Sequence, residues 1–414
     1  MRLAIAAQGW FDPAAPFTSI DLGCGYGLST LFHAAAYPHA NFVGIDALGS
    51  HVSWATGMAT AADLENATFH HALFADAGDF LPAADLITAH GVWSWVGEEI
   101  RRQALALVVS RLKPGGLFYV SYNALPGMAE MLPIREHLLA VFRKSQGSLE
   151  DRIAAAFNAA IASAAETPRM AERLKRLATG PTPYLAHEFF NEHWRCFTAA
   201  EVAASFGGAN LRYLGPAGLK INDADDFRAD LFVRTDSSPH LSQDLSDVAF
   251  AVNLDRESFV RVPTTTPTAH RLLHRLARAP ASASVISTEA LFASVPKAAI
   301  DSALTELLSL HAIDPVLPPV NHAERRERTD RLNRALWAQA LVSGDVTASV
   351  SPVTGSGVHV TRVEQLFLQA LVRQGDPVVT ATDVLGTEHR DAISQRFTDF
   401  EARRLPLLKD HGVI

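Results

Sequence analysis

The chain has little sulfur, no surplus of cationic charge and no long apolar run. Its 414 residues include only two cysteines, Cys24 and Cys196, too few for a disulfide framework and in keeping with a reducing cytoplasm. No apolar stretch reaches the ~18 residues a membrane helix needs. The opening Met1-Arg2-Leu3-Ala4-Ile5 lacks a secretory pattern with a cleavage site. A soluble cytoplasmic protein without membrane insertion is therefore expected. Lys and Arg number 36 against 44 Asp and Glu, for a net charge of −8. The molecule as a whole has no electrostatic reason to seek nucleic acid. Material for burial is plentiful: 48% of residues are hydrophobic, and a chain of this length divides into two or three domains.

The first third alternates short apolar runs with helical patterns, which predicts an α/β, Rossmann-like parallel sheet with crossover helices. Strands are expected near 17–22, 41–46, 68–73, 86–90 and 117–122, and helices near 28–37, 51–61 and 96–112. Lys113-Pro114-Gly115-Gly116 stops the last helix. These features assign 1–130 to the sheet domain and 131–183 to an alanine-rich helical connector. Thr179-Gly180-Pro181-Thr182-Pro183 marks a break, after which 184–236 forms a second unit ending in a strand-like Leu231-Phe232-Val233. A loop is expected over 235–243. Helix-rich modules follow at 237–320 and 321–414. The first of these has a winged-helix outline, but its candidate recognition helix sets Lys297 against Asp301 and Glu306. DNA reading needs a basic surface there, so the module is read as protein-packing. The charged run 322–334 is read as a solvated helix face.

Ile20-Asp21-Leu22-Gly23-Cys24-Gly25-Tyr26-Gly27 is the most informative segment. Glycines at alternate positions let the backbone turn sharply and leave room for a ligand against the main chain. A dinucleotide site would read G-x-G-x-x-G, its third glycine opening the helix under a pyrophosphate; here Leu28 stands at that position. A ligand with an aminoacyl group and a ribose, and no pyrophosphate, suits the pattern better. Asp21 is placed to meet a cationic amine. Asp46, closing the second strand, is placed to accept from ribose hydroxyls. With these go Cys24 inside the turn, and Phe74 and Asp76 after the third strand, for the adenine; Asp79 competes with Asp76.

Ligands of open parallel sheets bind beyond the carboxyl ends of the strands. The fourth strand runs into His90-Gly91-Val92-Trp93-Ser94-Trp95-Val96 and the fifth into Ser121-Tyr122-Asn123. His90, Trp93, Trp95, Tyr122 and Asn123 are therefore the acceptor-side candidates, His90 also touching the cofactor. The tryptophans would form an apolar wall facing a cation, and Tyr122 and Asn123 would orient an acceptor. Packing against the sheet is the competing role for both tryptophans and for Tyr122. No metal site is expected: His187 and His193 are six residues apart rather than the four a zinc helix uses, and His70 and His71 point to opposite sides of a strand.

The glycine turn with Asp46 resembles the first two motifs of class I S-adenosylmethionine-dependent methyltransferases. The run 90–96, Leu112-Lys113-Pro114-Gly115-Gly116, and Ser121-Tyr122-Asn123 with Pro126-Gly127 resemble bacterial methyltransferases carrying a methyltransferase regulatory domain. Segments 184–191 and 227–234 are similar to the start and end of that domain, and 351–357 with 364–367 to the family's C-terminal part. The family includes rickettsial-type protein lysine methyltransferases. The resemblance implies S-adenosylmethionine at Asp21, Gly23, Gly25, Gly27 and Asp46, and in-line methyl transfer to a protein or peptide substrate, with lysine favoured. A small-molecule acceptor and a non-catalytic cofactor-sensing protein are the alternatives, and a homodimer is compatible. Two departures touch the acceptor side. Family members carry an additional N-terminal stretch, and the run Tyr-Asn-Thr-Leu-Pro-Gly-Trp here has Ala124 and Met128.

Overall fold

A computed structural model describes residues 11–217, 225–235, 248–254, 258, 262–264 and 266–414; apart from Thr235, the loop expected over 235–243 lies outside them. The sheet strands are β1 (Thr18–Leu22), β2 (Asn41–Asp46), β3 (Ala67–His71), β4 (Ala84–Ala89) and β5 (Leu112–Asn123). Between them run α1 (Leu28–Ala36), α2 (Gly49–Ala61) and α3 (Glu98–Arg111). Each expected strand and helix is present, with ends shifted by a few residues. The fifth strand is the exception, pairing from Leu112 onward, with Lys113-Pro114-Gly115-Gly116 bulged out opposite Asp85 alone.

After β5 come α4 (Met131–Lys144), α5 (Leu149–Ser163), α6 (Pro168–Ala178), α7 (Thr182–Phe190) and α8 (Ala199–Gly207), then β6 (Leu211–Pro216) and β7 (Phe227–Arg234). The sheet order is β3-β2-β1-β4-β5-β7-β6. β1 to β5 are parallel, whereas β7 runs antiparallel between β5 and β6. The 184–236 segment thus completes the sheet that the first 123 residues begin. The central strand β1 sends Ile20 and Leu22 to one buried face, with Asp21 between them on the other. Ile20, Leu22, Ile87, Phe118 and Phe232 meet α3 and α8 in one buried cluster.

Helices α4 to α7 make a separate helical cluster around Phe157, Leu174, Leu185 and Phe189, and Trp95 from the sheet's carboxyl edge joins it. The chain between strand ends and cap is pinned by main-chain bonds. Arg195 N–H donates to the Ser94 carbonyl at 2.8 Å, and Phe197 N–H to the Asn123 carbonyl at 2.9 Å.

Beyond the sheet lie β8 (Ala249–Val252), α9 (Pro267–Leu276), β9 (Ala281–Ser282), α10 (Ala283–Thr288), α11 (Lys297–Ser309) and β10 (Ile313–Pro315). These three strands pair in the order β10-β8-β9, with the helices packed beside them. Then come α12 (His322–Gln339), β11 (Ala348–Val350), β12 (Gly357–His359), α13 (Arg362–Val372), α14 (Pro377–Leu385), α15 (Arg390–Asp399) and α16 (Leu405–Asp410). The charged run at the start of α12 is a solvated face only in part: Glu324, Arg326, Glu327 and Arg334 are exposed, whereas two arginines turn inward. Arg325, 3% exposed, donates to the Ala36 carbonyl at 3.0 Å, and Arg328 to the Ala34 carbonyl at 3.2 Å. Two guanidinium groups thereby satisfy carbonyls that α1 leaves open at its C-terminus, where the helix dipole favours cations. Charge density alone gives no hint of this, because arginine stems bury while their heads find carbonyls. Among the described residues no helix is long and apolar enough to cross a membrane.

Candidate active site

Gly23, Gly25 and Gly27 all have left-handed backbone, with φ of 70°, 55° and 66°. Their surroundings differ. A Cβ on Gly23 would meet Val92 at 2.6 Å and one on Gly27 would meet Phe69 at 2.4 Å, whereas one on Gly25 would find nothing within 4 Å. Gly23 and Gly27 are thus packed from within, and Gly25 faces open space above the strand ends. The Gly25 N–H donates to Asp46 Oδ2 at 2.8 Å and the Leu48 N–H to Asp46 Oδ1 at 2.9 Å. His51 Nδ1 stands 3.4 Å from that second oxygen. A carboxylate oxygen accepts more than one bond, so Asp46 retains capacity for paired hydroxyls.

Asp21 accepts from Thr88 Oγ1 at 2.7 Å and from Thr30 Oγ1 at 3.2 Å. Burial raises its carboxyl to about 6 against the pull of those two hydroxyls. A neighbouring ammonium would restore its charge. A cavity of about 320 Å³ opens beside it, lined among others by Ser19, Thr30, Thr88, His90 and Tyr119. Cys24 spends its N–H on the Ile45 carbonyl at 2.9 Å, and burial pushes its thiol well above the ordinary range, so it packs the turn and is no nucleophile.

Phe74 packs against the central cluster and Asp76 is exposed on a short 3-10 turn; neither lines the cavities described here. Leu48 and Leu73 carry the apolar surface at this edge, 55% and 54% exposed. Asp46 pairs with His71 in the parallel register of β2 and β3, so each leucine stands two residues past a paired position. Two exposed leucines on adjacent strand ends suit the faces of a planar ring. Leu48 lies past the expected second strand and Leu73 at the end of the expected third; only the register of β2 and β3 sets them side by side.

The acceptor-side candidates divide. His90, Trp95 and Asn123 line a cavity of about 480 Å³ over the ends of β4 and β5, roofed by Tyr184, His187 and Glu188 of α7. Trp95 stacks on His187 with ring centroids 5.6 Å apart and planes at 18°, and its Nε1 has no partner among the described residues. Asn123 Nδ2 donates to Glu188 Oε1 at 3.3 Å. His90 Nδ1 meets Tyr119 Oη at 3.0 Å and Ser121 Oγ at 3.2 Å, and desolvation holds its imidazole below the usual value. Trp93 and Tyr122 are elsewhere. Trp93 lies edge-on to Phe206 of α8 at 5.0 Å. Tyr122, fully buried, donates to Asp230, whose carboxylate also takes Arg228 Nε at 2.9 Å. Successive residues of a strand leave on opposite faces, which is how Tyr122 and Asn123 come to serve core and cavity; Trp93 and Trp95 part company in the turn after β4.

The chain is similar to known proteins in sequence and in fold. A family model described as a methyltransferase domain matches residues 20–116, and one described as a predicted methyltransferase regulatory domain matches residues 181–228. An uncharacterized protein of Synechocystis is 28% identical over 95% of this chain and 88% of its own length. An uncharacterized protein of Rickettsia prowazekii is 32% identical over 48% of this chain and 37% of its own. The solved structure of PKMT2 from Rickettsia typhi in complex with AdoHcy superposes with a TM-score of 0.68 at 16% identity. It covers 92% of this chain and 88% of that one, and the likeness is one of fold.

Proposed function

We propose, for a chain that carries a class I S-adenosylmethionine-dependent methyltransferase domain and a methyltransferase regulatory domain, that the methyl acceptor is an amine on a protein or peptide, with lysine favoured. The observation that carries this reading is the position of His90, which lines both the cavity beside Asp21 and the cavity under α7. A donor held over the glycine turn and an acceptor held under α7 would meet at that residue. The structural neighbour, PKMT2 of Rickettsia typhi, holds AdoHcy, which fits a methyl donor in the corresponding fold.

The residues present fit the cofactor. The open side of Gly25, the Asp46 carboxylate, Asp21 and the exposed Leu48 and Leu73 provide for its backbone approach, ribose hydroxyls, amino group and adenine faces in turn. When bound, S-adenosylmethionine supplies a sulfonium methyl group to a nucleophile. The protein's own work is alignment and exclusion of water, which the aromatic walls of Trp95 and Tyr184 favour. A lysine has a reference pKa of about 10.4 and must lose a proton to act. His90 suits that task. Its Nδ1 is met by two hydroxyls able to accept from it, which frees the Nε2 lone pair, and a lowered imidazole pKa keeps it neutral.

Incubating the protein with methyl-labelled cofactor and cell extract, then resolving label by size, tests the reading. Label in polypeptide that survives as methyl-lysine on hydrolysis supports it. Label confined to small molecules assigns the acceptor to a natural product instead.

A further inference from the structure

The helical roof of the acceptor cavity carries a carboxylate that nothing in the cofactor site requires. Glu188 Oε1 accepts from Asn123 Nδ2 at 3.3 Å and from Trp194 Nε1 at 3.4 Å. Both donors are neutral, and no lysine or arginine forms an ion pair with it among the described residues. The other charges of the lining are already matched, Arg173 Nη2 lying 2.5 Å from Asp226 Oδ2. Arg135 feels Glu188, but its guanidinium sits 4.6 Å over the Trp194 ring and donates to the Asn191 carbonyl. A half-buried carboxylate with neutral partners, in a cavity that the Trp95 indole also lines, is a receptor for a cation.

We infer that Glu188 is the specificity determinant of the acceptor cavity, binding the ammonium head of the incoming side chain and at the same time orienting Asn123. This rests on the amine-acceptor reading above. It makes the 181–228 segment part of the substrate site: the sheet supplies His90, Trp95 and Asn123, and α7 supplies the charge that selects the acceptor. An acceptor without a positive charge would leave Glu188 with nothing but neutral donors, and so gain less from binding.

The test compares two synthetic peptides, one with a single lysine and one with norleucine in its place, binding to the protein saturated with S-adenosylhomocysteine and followed by fluorescence anisotropy. Wild type should prefer the lysine peptide by about tenfold, a preference that salt weakens. Glu188→Gln keeps an oxygen for Asn123 and removes the charge. It should erase the preference while leaving the calorimetric affinity for S-adenosylhomocysteine and the melting temperature unchanged. Glu192→Gln, an exposed acid on the same segment, should leave the preference intact. A Glu188→Gln protein that still prefers lysine overturns the inference, as does equal loss in Glu192→Gln. A wild type that binds S-adenosylhomocysteine and methylates no amine in extract overturns the underlying reading instead.

Discussion

The amide of Gly25 donates to Asp46 Oδ2 at 2.8 Å, so the glycine turn after β1 and the acid closing β2 are a single unit. Asp46 therefore has two jobs in the proposed site: it holds the turn through Gly25 and Leu48, and it would accept from the ribose hydroxyls. Asp46→Ala loses both. Charge-assisted hydrogen bonds are worth about 1.5–3 kcal/mol each, so cofactor affinity should fall by about 100-fold or more. Isothermal calorimetry measures it, and an unchanged affinity would remove the ribose assignment.

Alanine at two of the three glycines should separate ligand space from packing. At Gly27 a Cβ would press on the Phe69 ring at 2.4 Å, whereas at Gly25 it would touch no protein atom within 4 Å. Both positions share the left-handed strain, about 1 kcal/mol. Gly27→Ala should therefore lower the melting temperature markedly. Gly25→Ala should fold nearly as well as wild type yet bind the cofactor poorly, because its methyl group enters ligand space. If Gly25→Ala binds normally, the ligand does not approach that turn.

Asp21 gives the site a pH dependence. Its folded pKa of about 6 lies above the ordinary carboxylate value because burial penalises the charge. A raised pKa means that its contribution to stability is fully present below the unfolded value near 3.8 and is lost as pH rises through about 6. Binding runs the other way, since only the ionised form attracts an ammonium. Cofactor affinity should hold from pH 8 to 7 and weaken by about tenfold per unit below pH 6. Asp21→Asn should bind weakly at every pH, with that slope gone. A slope unchanged in Asp21→Asn would mean that another group titrates.

Most of the fold was legible in the sequence, and the proposed cofactor residues could be named from it, because both depend on local signals. Strand–turn–helix patterns, three glycines and an acid at a strand end all lie within short windows. What was not legible depends on long-range pairing. β6 and β7 reach the sheet from a segment about a hundred residues beyond β5, and no local pattern says which edge they join. Leu48 and Leu73 become a pair only through the register of β2 against β3. Glu188 lay in a segment noted for its resemblance and for histidines that do not chelate. Its meaning comes from α7 folding back over Asn123. Arg325 misled for a related reason, since its carbonyl partner on Ala36 is 289 residues away.

Trp93 and Trp95, two residues apart, should respond to substitution in opposite ways. Trp93 is 4% exposed and packs on Phe206, inside the cluster that joins sheet to α3 and α8. Trp95 stacks on His187 and lines the acceptor cavity. Replacing a buried indole by a smaller ring removes packing and leaves a void, at about 1–3 kcal/mol for a partial truncation. Trp93→Phe should lower the melting temperature by several degrees and leave turnover per folded molecule near wild type. Trp95→Phe removes the unpartnered N–H and narrows the stack, so methylation of protein in extract should fall by about tenfold while calorimetric affinity for the cofactor stays constant. Melting curves and label incorporation on the same preparations decide between them. A turnover defect in Trp93→Phe with none in Trp95→Phe would exchange the two assignments and move the acceptor to the α8 side of the sheet.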